Sequence, residues 1–393
     1  MKYDPQTYKL IDSGIVGKIA LVISLVGIIT SIAGYFIDHD QFYHSYLIAL
    51  VYWLTIGLGA LFFTMLHHLV GATWSIVLRR LAENIMSALP YLAIFAIILI
   101  PGIHSLYHWS HPDTVAADHI LQGKASYLNQ TFFIIRLVIY FAVWFFLSRK
   151  LYSISIEQDF GFKESQVVRL RKISAPGMIL FAVTLTFASF DWLMSLDAHW
   201  YSTIYGVYVF AGAVLAMLAF LVLIVMYFYN NNILTKEITV EHYHDLGKLL
   251  FAFIVFWGYM AFSQYFLIWY GNMPEETMWF LNRWEGGWKT ITLFIVFGHF
   301  VIPFFILFPR GPKRNRVVLT IMSIWILIMH WVDIYWLVMP SLHSESPHIS
   351  WMDITTCMAI GGMFIWLICR KMNSGPLLPI NDPRLTKSME FTS

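Results

Sequence analysis

His330 and Asp333 stand three residues apart in one apolar run, the spacing at which two side chains of a helix can meet. A carboxylate beside an imidazole orients the ring and exchanges protons with it, so the pair reads as a proton-relay dyad or as a self-neutralising buried pair. His299 lies in the preceding apolar run, with Pro303 four residues on. Proline has no N–H, so in a regular helix the His299 carbonyl lacks its partner and invites water or a neighbouring donor. Asp191 follows Thr184 by seven residues, on one helical face, and Arg136 lies in a further apolar run. Asp191 reads as a hydroxyl acceptor or proton exit group, or as a structural residue at a helix end. A charge within the hydrocarbon costs about 3 kcal/mol or more, so each of these residues is a functional candidate.

The elements that position them are membrane spans. The 393 residues are 59% hydrophobic and 12% charged, with mean hydropathy +0.66, whereas soluble domains hold about 25% charged residues. About 20 apolar residues cross the hydrocarbon. That rule predicts an all-α integral membrane protein of ten spans, at 14–37, 46–70, 86–104, 130–149, 174–193, 205–229, 247–270, 287–308, 316–338 and 350–369. The first run has no small-residue cleavage site and reads as a retained span, not a signal peptide. A net charge of +2 gives no reason to expect a nucleic-acid partner. Cys357 and Cys369 share the last run, roughly 18 Å apart by helical rise and out of disulfide reach. No CxxC or CxxCH occurs, so any redox metal is expected on another chain.

All but four of the 25 Lys and Arg residues fall on the side that holds both termini, the exceptions being Lys124, Arg136, Arg283 and Lys289. The positive-inside rule makes that side cytoplasmic. The ionisable residues then sort by depth, with Arg136, Asp191, Lys289, His330, Asp333 and Asp353 in the outer half. His67, His68, Glu83 and Lys248 belong to the inner half, and His299 lies between. The second span places Thr64, His68, Gly71 and Ser75 on one face, extended by Gly57. This is either a packed interface or a proton-carrying histidine backed by Arg79, Arg80 and Glu83. Ten of the 16 tryptophans gather at the outer ends, as an interfacial belt or a surface covered by partners. His299 and His330 differ in depth by about 6 Å, so b-type haem ligation is a further reading, though no other pair matches.

Three stretches together resemble one family. They are Ser189 to Gly206 (Ser-Phe-Asp-Trp-Leu-Met-Ser-Leu-Asp-Ala-His-Trp-Tyr-Ser-Thr-Ile-Tyr-Gly), Asp245 to Phe253 with Ser263 to Tyr270 and Pro274-Glu275-Glu276, and Phe297 to Pro303 with His330 to Tyr335. The chain is similar to the second NrfD-like membrane subunit of alternative complex III, a bacterial quinol:cytochrome c or electron-acceptor oxidoreductase. The resemblance covers essentially the whole chain. It implies two four-helix bundles, 46–193 and 205–338, with 14–37 and 350–369 as peripheral helices, in the bacterial inner membrane. It also implies a paralogous NrfD-like subunit, periplasmic partners carrying haem c and iron–sulfur clusters, and quinol (menaquinol or ubiquinol) as substrate. No cofactor of this chain's own is expected. The outer group Arg136, Asp191, His330 and Asp333 would supply quinol contacts or a proton exit. His67, His68, Glu83, Lys248, His299 and Asp353 would supply a proton path. A structural anchor, whose charges only pair with one another, and a secondary transporter with midplane charges are the rival readings.

Overall fold

The computed structural model describes Tyr8 and residues 14–392. Among the described residues every regular element is helical, and ten helices are long and apolar enough to cross a membrane. They are α1 (Gly14–Ile37), α2 (His39–Val70), α3 (Ile76–Ile97), α4 (Gln130–Phe160), α5 (Glu164–Leu196), α6 (Tyr205–Asn230), α7 (Val240–Gly271), α8 (Trp288–Leu307), α9 (Arg316–Ser341) and α10 (Trp351–Asn373). The ten spans expected from hydropathy are all present, with different ends. α2 begins at His39 because Asp38 caps it, accepting a hydrogen bond from the Gln41 N–H at 3.0 Å. It ends at Val70, where Gly71 turns left-handed at φ 64°. The expected stripe running on through Gly71 to Ser75 is therefore cut, and Ser75 instead precedes α3. α4 has 31 residues, about 46 Å by rise, and so extends well beyond ~30 Å of hydrocarbon.

The largest correction is at the third span, expected at 86–104. It begins at Ile76, and Arg79, Arg80 and Glu83 lie inside it, all buried. A hydropathy window rejects three charged residues, but mutual pairing lets them enter a helix packed against protein. Pro90 interrupts the backbone ladder, so the helix tightens into a turn between Met86 and Leu89.

α2 and α6 form the centre, with 89% and 78% of their apolar stretches hidden. They pack on each other. α2 also touches α3, α5, α9 and α10, and α6 touches α5, α7 and α9. α10, implied to be peripheral, is inserted between α1 and α2 and hides 56% of its apolar stretch, twice the 28% of α1. Small residues make the α1–α10 contact. Gly17, Ala20, Ser24, Gly27, Ser31 and Gly34 line one buried face of α1, and the Ser24 hydroxyl donates to the Ala359 carbonyl at 2.7 Å. Close backbone approach of this kind is how membrane helices associate without a hydrophobic driving force. A Cβ on Gly27 would lie 2.4 Å from the Ala359 nitrogen. Gly27→Val is accordingly expected to part α1 from α10, costing about 1–3 kcal/mol. Loss of a disulfide cross-link between Ser24→Cys and Ala359→Cys would report the separation, and undiminished cross-linking would refute the contact.

Beyond α10 the chain crosses the lysine- and arginine-rich end of the molecule. Ser388 Oγ donates to the Trp74 carbonyl at 2.7 Å, its carbonyl meets His242 Nε2 at 2.8 Å, and Asn381 Nδ2 donates to the Asp159 carbonyl at 2.8 Å. This segment closes that end over α3, α4 and α7.

Candidate functional site

Four helices meet at Trp257 of α7, and a fifth, α2, joins them through His330. Its indole N–H donates to Asp333 Oδ2 of α9 at 3.3 Å. The other Asp333 oxygen accepts a short hydrogen bond from the Tyr208 hydroxyl of α6. The indole ring also packs against His299 of α8, ring centroids 3.9 Å apart. His330 of α9 reaches α2, where its Nε2 lies 2.9 Å from Thr55 Oγ1. The Thr55 hydroxyl also donates to the Tyr52 carbonyl at 2.9 Å. Gly212 of α6 makes this arrangement possible, since a Cβ there would lie 3.2 Å from His330 Cε1.

His299, His330 and Asp333 are all buried. Both ring nitrogens of His299 and Nδ1 of His330 have no protein hydrogen-bond partner. The structure thus gathers the three residues but corrects their connection. His330 and Asp333 do not bond to each other. Residues three apart on a helix diverge by about 60°, and here each takes a different neighbour, Thr55 on α2 and Tyr208 with Trp257 on α6 and α7.

The proline expectation at His299 is also shifted by one residue. Val296–Val301 is a π-helical turn, with the Ile302 N–H bonded to the Phe297 carbonyl five residues back. In that register Pro303 faces the carbonyl of Gly298, which accepts the Trp325 indole N–H at 2.7 Å instead. Such single π turns are frequent at functional sites.

The second cluster joins α4 and α5 near the tryptophan-rich end. Arg136 Nε donates to Asp191 Oδ2 at 2.7 Å, the Tyr140 hydroxyl donates to the same oxygen at 2.6 Å, and the Tyr127 hydroxyl donates to Oδ1 at 2.9 Å. The guanidinium also lies over the Tyr127 ring, 3.8 Å from its centroid, and donates to the Tyr127 carbonyl at 2.9 Å. Thr184, on the same face as Asp191, accepts the Trp144 indole N–H at 3.0 Å. Asp191 is therefore an ion-paired, fully bonded carboxylate.

The third cluster lies at the arginine-rich end. Glu83 accepts a hydrogen bond from Ser155 Oγ at 2.6 Å and pairs with Arg79 Nε at 3.2 Å and Arg80 Nε at 3.3 Å. Arg79 also meets Asp382 at 2.9 Å and Arg80 meets Asp159 at 3.0 Å. Arg384 completes the set on Asp382 at 2.9 Å. His68 stands at the edge, Nε2 3.9 Å from Glu83, and His67 Nδ1 is tied to the Phe63 carbonyl at 2.6 Å. Burial by itself would raise the Asp382 carboxyl, but Arg79 and Arg384 outweigh it and hold the group well below the usual carboxylate range. The stability this carboxyl adds is complete above the pKa of an unfolded aspartate, about 4. It is lost progressively as pH falls from there towards the lower folded value.

Two expected pathway residues are placed elsewhere. Lys248 is half exposed and pairs with Asp245 one turn earlier, so it lies outside the buried chain of groups. Asp353 is buried as the capping-box partner of Ser350, accepting from the Ser350 N–H at 2.8 Å and from Ser45 Oγ at 2.5 Å. The outer tryptophans mostly pack inward. Trp200 stacks on Trp279 at 4.3 Å, Arg283 lies 3.6 Å over Trp279, and Trp192, Trp288 and Trp336 are buried, leaving Trp269, Trp284 and Trp351 exposed.

Sequence reasoning missed Tyr208, Trp257, Thr55, Tyr127 and Tyr140, because aromatic and hydroxyl residues are unremarkable in a membrane span. It missed Asp159 and Asp382 because they lie outside the apolar runs. Among the described residues no three His, Cys, Asp or Glu side chains gather as a metal site. No protein-family model matches the chain, and no curated protein matches its sequence.

Proposed function

We propose that this chain is the proton-handling membrane subunit of a quinol-oxidising complex of the alternative complex III type. The observation that carries the reading is the group around Trp257, with His299 and Asp333 against the indole and His330 beside it across Gly212: three buried titratable side chains, two of them imidazoles with nitrogens that have no protein partner. Leaving such nitrogens without a partner costs about 1–3 kcal/mol each, which a purely structural core has no reason to bear. Oxidation of a quinol releases two electrons and two protons. Partner subunits carrying haem and iron–sulfur clusters, which the resemblance implies, would take the electrons. His299, His330 and Asp333 take and release protons.

α2 links this group to the arginine-rich end. It carries Thr55 beside His330, then Thr64 and His67, and then His68 beside Glu83, about 20 Å further by helical rise. Steps of that length need bridging waters. The contacts among α2, α3, α4 and α5 and among α6, α7, α8 and α9 support the two-bundle arrangement of the NrfD-like family. The charge asymmetry supports cytoplasmic termini in a bacterial inner membrane. The competing assignment, a quinol headgroup on Arg136 and Asp191, is weakened because both Asp191 oxygens already accept protein hydrogen bonds.

The test is a structure of the intact complex with bound quinone, together with the proton-to-electron ratio in proteoliposomes. The proposal expects the headgroup away from Asp191 and more protons translocated than quinol chemistry alone releases. A headgroup bonded to Asp191, with no extra protons, overturns it.

A further inference from the structure

A crevice of about 240 Å³ opens at the arginine-rich end between α3, α4 and α10, lined by Ser87, Ser148, Arg149, Tyr152, Arg370 and Lys371 among others. Three cations converge on it. Among the described residues no carboxylate lies within 4 Å of any of them, whereas Arg79, Arg80, Arg314 and Arg384 of the same end each hold one. Lys371 Nζ lies over the Tyr152 ring at 4.1 Å and Arg370 over the Trp366 ring at 5.4 Å, contacts that place the charges without neutralising them. The carbonyl end of α10 adds only about half a negative charge there. Like charges gathered without a counterion repel one another, and an anion in the crevice removes that repulsion.

The surroundings identify the source of the anion. Arg149 lies 19 residues along α4, about 28 Å by rise, which is the depth at which hydrocarbon gives way to headgroups. From the crevice towards the membrane centre run two exposed apolar tracks. Tyr91, Ile94 (62% exposed) and Ile98 lie on or just past α3, and Phe145 (52% exposed) with Val138 one heptad earlier lies on α4. A free phosphate ion has no use for these tracks. A phospholipid fits both parts, its phosphate among the cations and its acyl chains along the helices. Basic pockets between spans on the cytoplasmic side are suited to anionic headgroups.

We propose that this crevice binds the phosphate of an anionic phospholipid from the leaflet facing the arginine-rich end. The site is independent of the Trp257 group and of the proton pathway.

The test uses the full-length chain, delipidated in neutral detergent. Phosphatidylglycerol, phosphatidylcholine and inorganic phosphate are added separately while the thermal unfolding midpoint and lipid retention in native mass spectrometry are recorded. Phosphatidylglycerol is expected to raise the midpoint and to be retained, phosphatidylcholine to do so weakly, and inorganic phosphate to do neither. Retention is expected to fall about fivefold for each cation removed, so Arg149→Gln alone suffices if Arg149→Gln/Arg370→Gln/Lys371→Gln fails to fold. An equal shift with inorganic phosphate makes the crevice a site for the free ion and overturns the lipid assignment. Unchanged retention of phosphatidylglycerol by Arg149→Gln overturns the site.

Discussion

Asp333→Asn in the intact complex is expected to lower coupled proton translocation at least 100-fold, within the range ascribed to a positioned acid–base group, while the protein still folds. Asparagine keeps the volume of aspartate. Its oxygen can accept the Trp257 N–H, and the Tyr208 hydroxyl can turn from donor to acceptor opposite the new amide. What disappears is the ability to bind and release a proton. His299→Phe makes the complementary case. Phenylalanine can retain the stack on Trp257, now at 3.9 Å, and removes two buried nitrogens that have no protein partner. It should leave stability unchanged or raise it by about 1 kcal/mol, yet reduce proton transfer as Asp333→Asn does. A gain in stability with a loss of transport is the opposite of what a packing defect produces. Proteoliposomes loaded with a pH indicator measure the first quantity and unfolding in mixed micelles the second. Normal proton flux in both variants would leave the group with a structural role only.

The hydrophobic runs made the ten helices legible, and the same runs made His299, His330, Asp333, Arg136 and Asp191 conspicuous, because an ionisable group in oil has few explanations. All five are buried in the interior of the molecule. The connections between them were not legible. Spacing alone brings His330 within reach of Asp333, but whether they meet depends on Thr55, Tyr208 and Trp257, which come from three other helices. Helix rotation relative to neighbours is a property of packing, and a single periodicity does not contain it. The start of α3 was hidden for a related reason. A hydropathy window scores Arg79, Arg80 and Glu83 as isolated charges, whereas their cost depends on partners as remote in sequence as Asp159 and Asp382. The π turn at His299 lies between these cases. Pro303 announced a disturbed ladder, and only the structure shows that Gly298 bears it and that Trp325 resolves it.

Glu83→Gln is expected to produce the largest loss of stability of any single substitution considered, about 3–5 kcal/mol. In the native protein Arg79, Arg80 and Arg384 face Glu83, Asp159 and Asp382, so the formal charges cancel within one cluster. Its core is closed to solvent, since the side chains of Arg79, Arg80 and Glu83 are at most 1% exposed. Glutamine retains the shape and can still accept from Ser155, but the cluster is left with one uncompensated cation away from water. Asp382→Asn should cost less, because the partner it shares, Arg384, is partly exposed and can turn to solvent. The decisive comparison is the double variant Arg79→Leu/Glu83→Gln. It removes one charge of each sign, leaving Arg80 with Asp159 and Arg384 with Asp382. If charge balance sets the stability, the double variant should recover at least half of what Glu83→Gln loses, despite carrying one more substitution. Unfolding free energies in mixed micelles measure each step. A double variant weaker than Glu83→Gln would show that the individual hydrogen bonds outweigh the balance of charge, and a loss below about 1 kcal/mol for Glu83→Gln would show that water screens the cluster as it screens a surface pair.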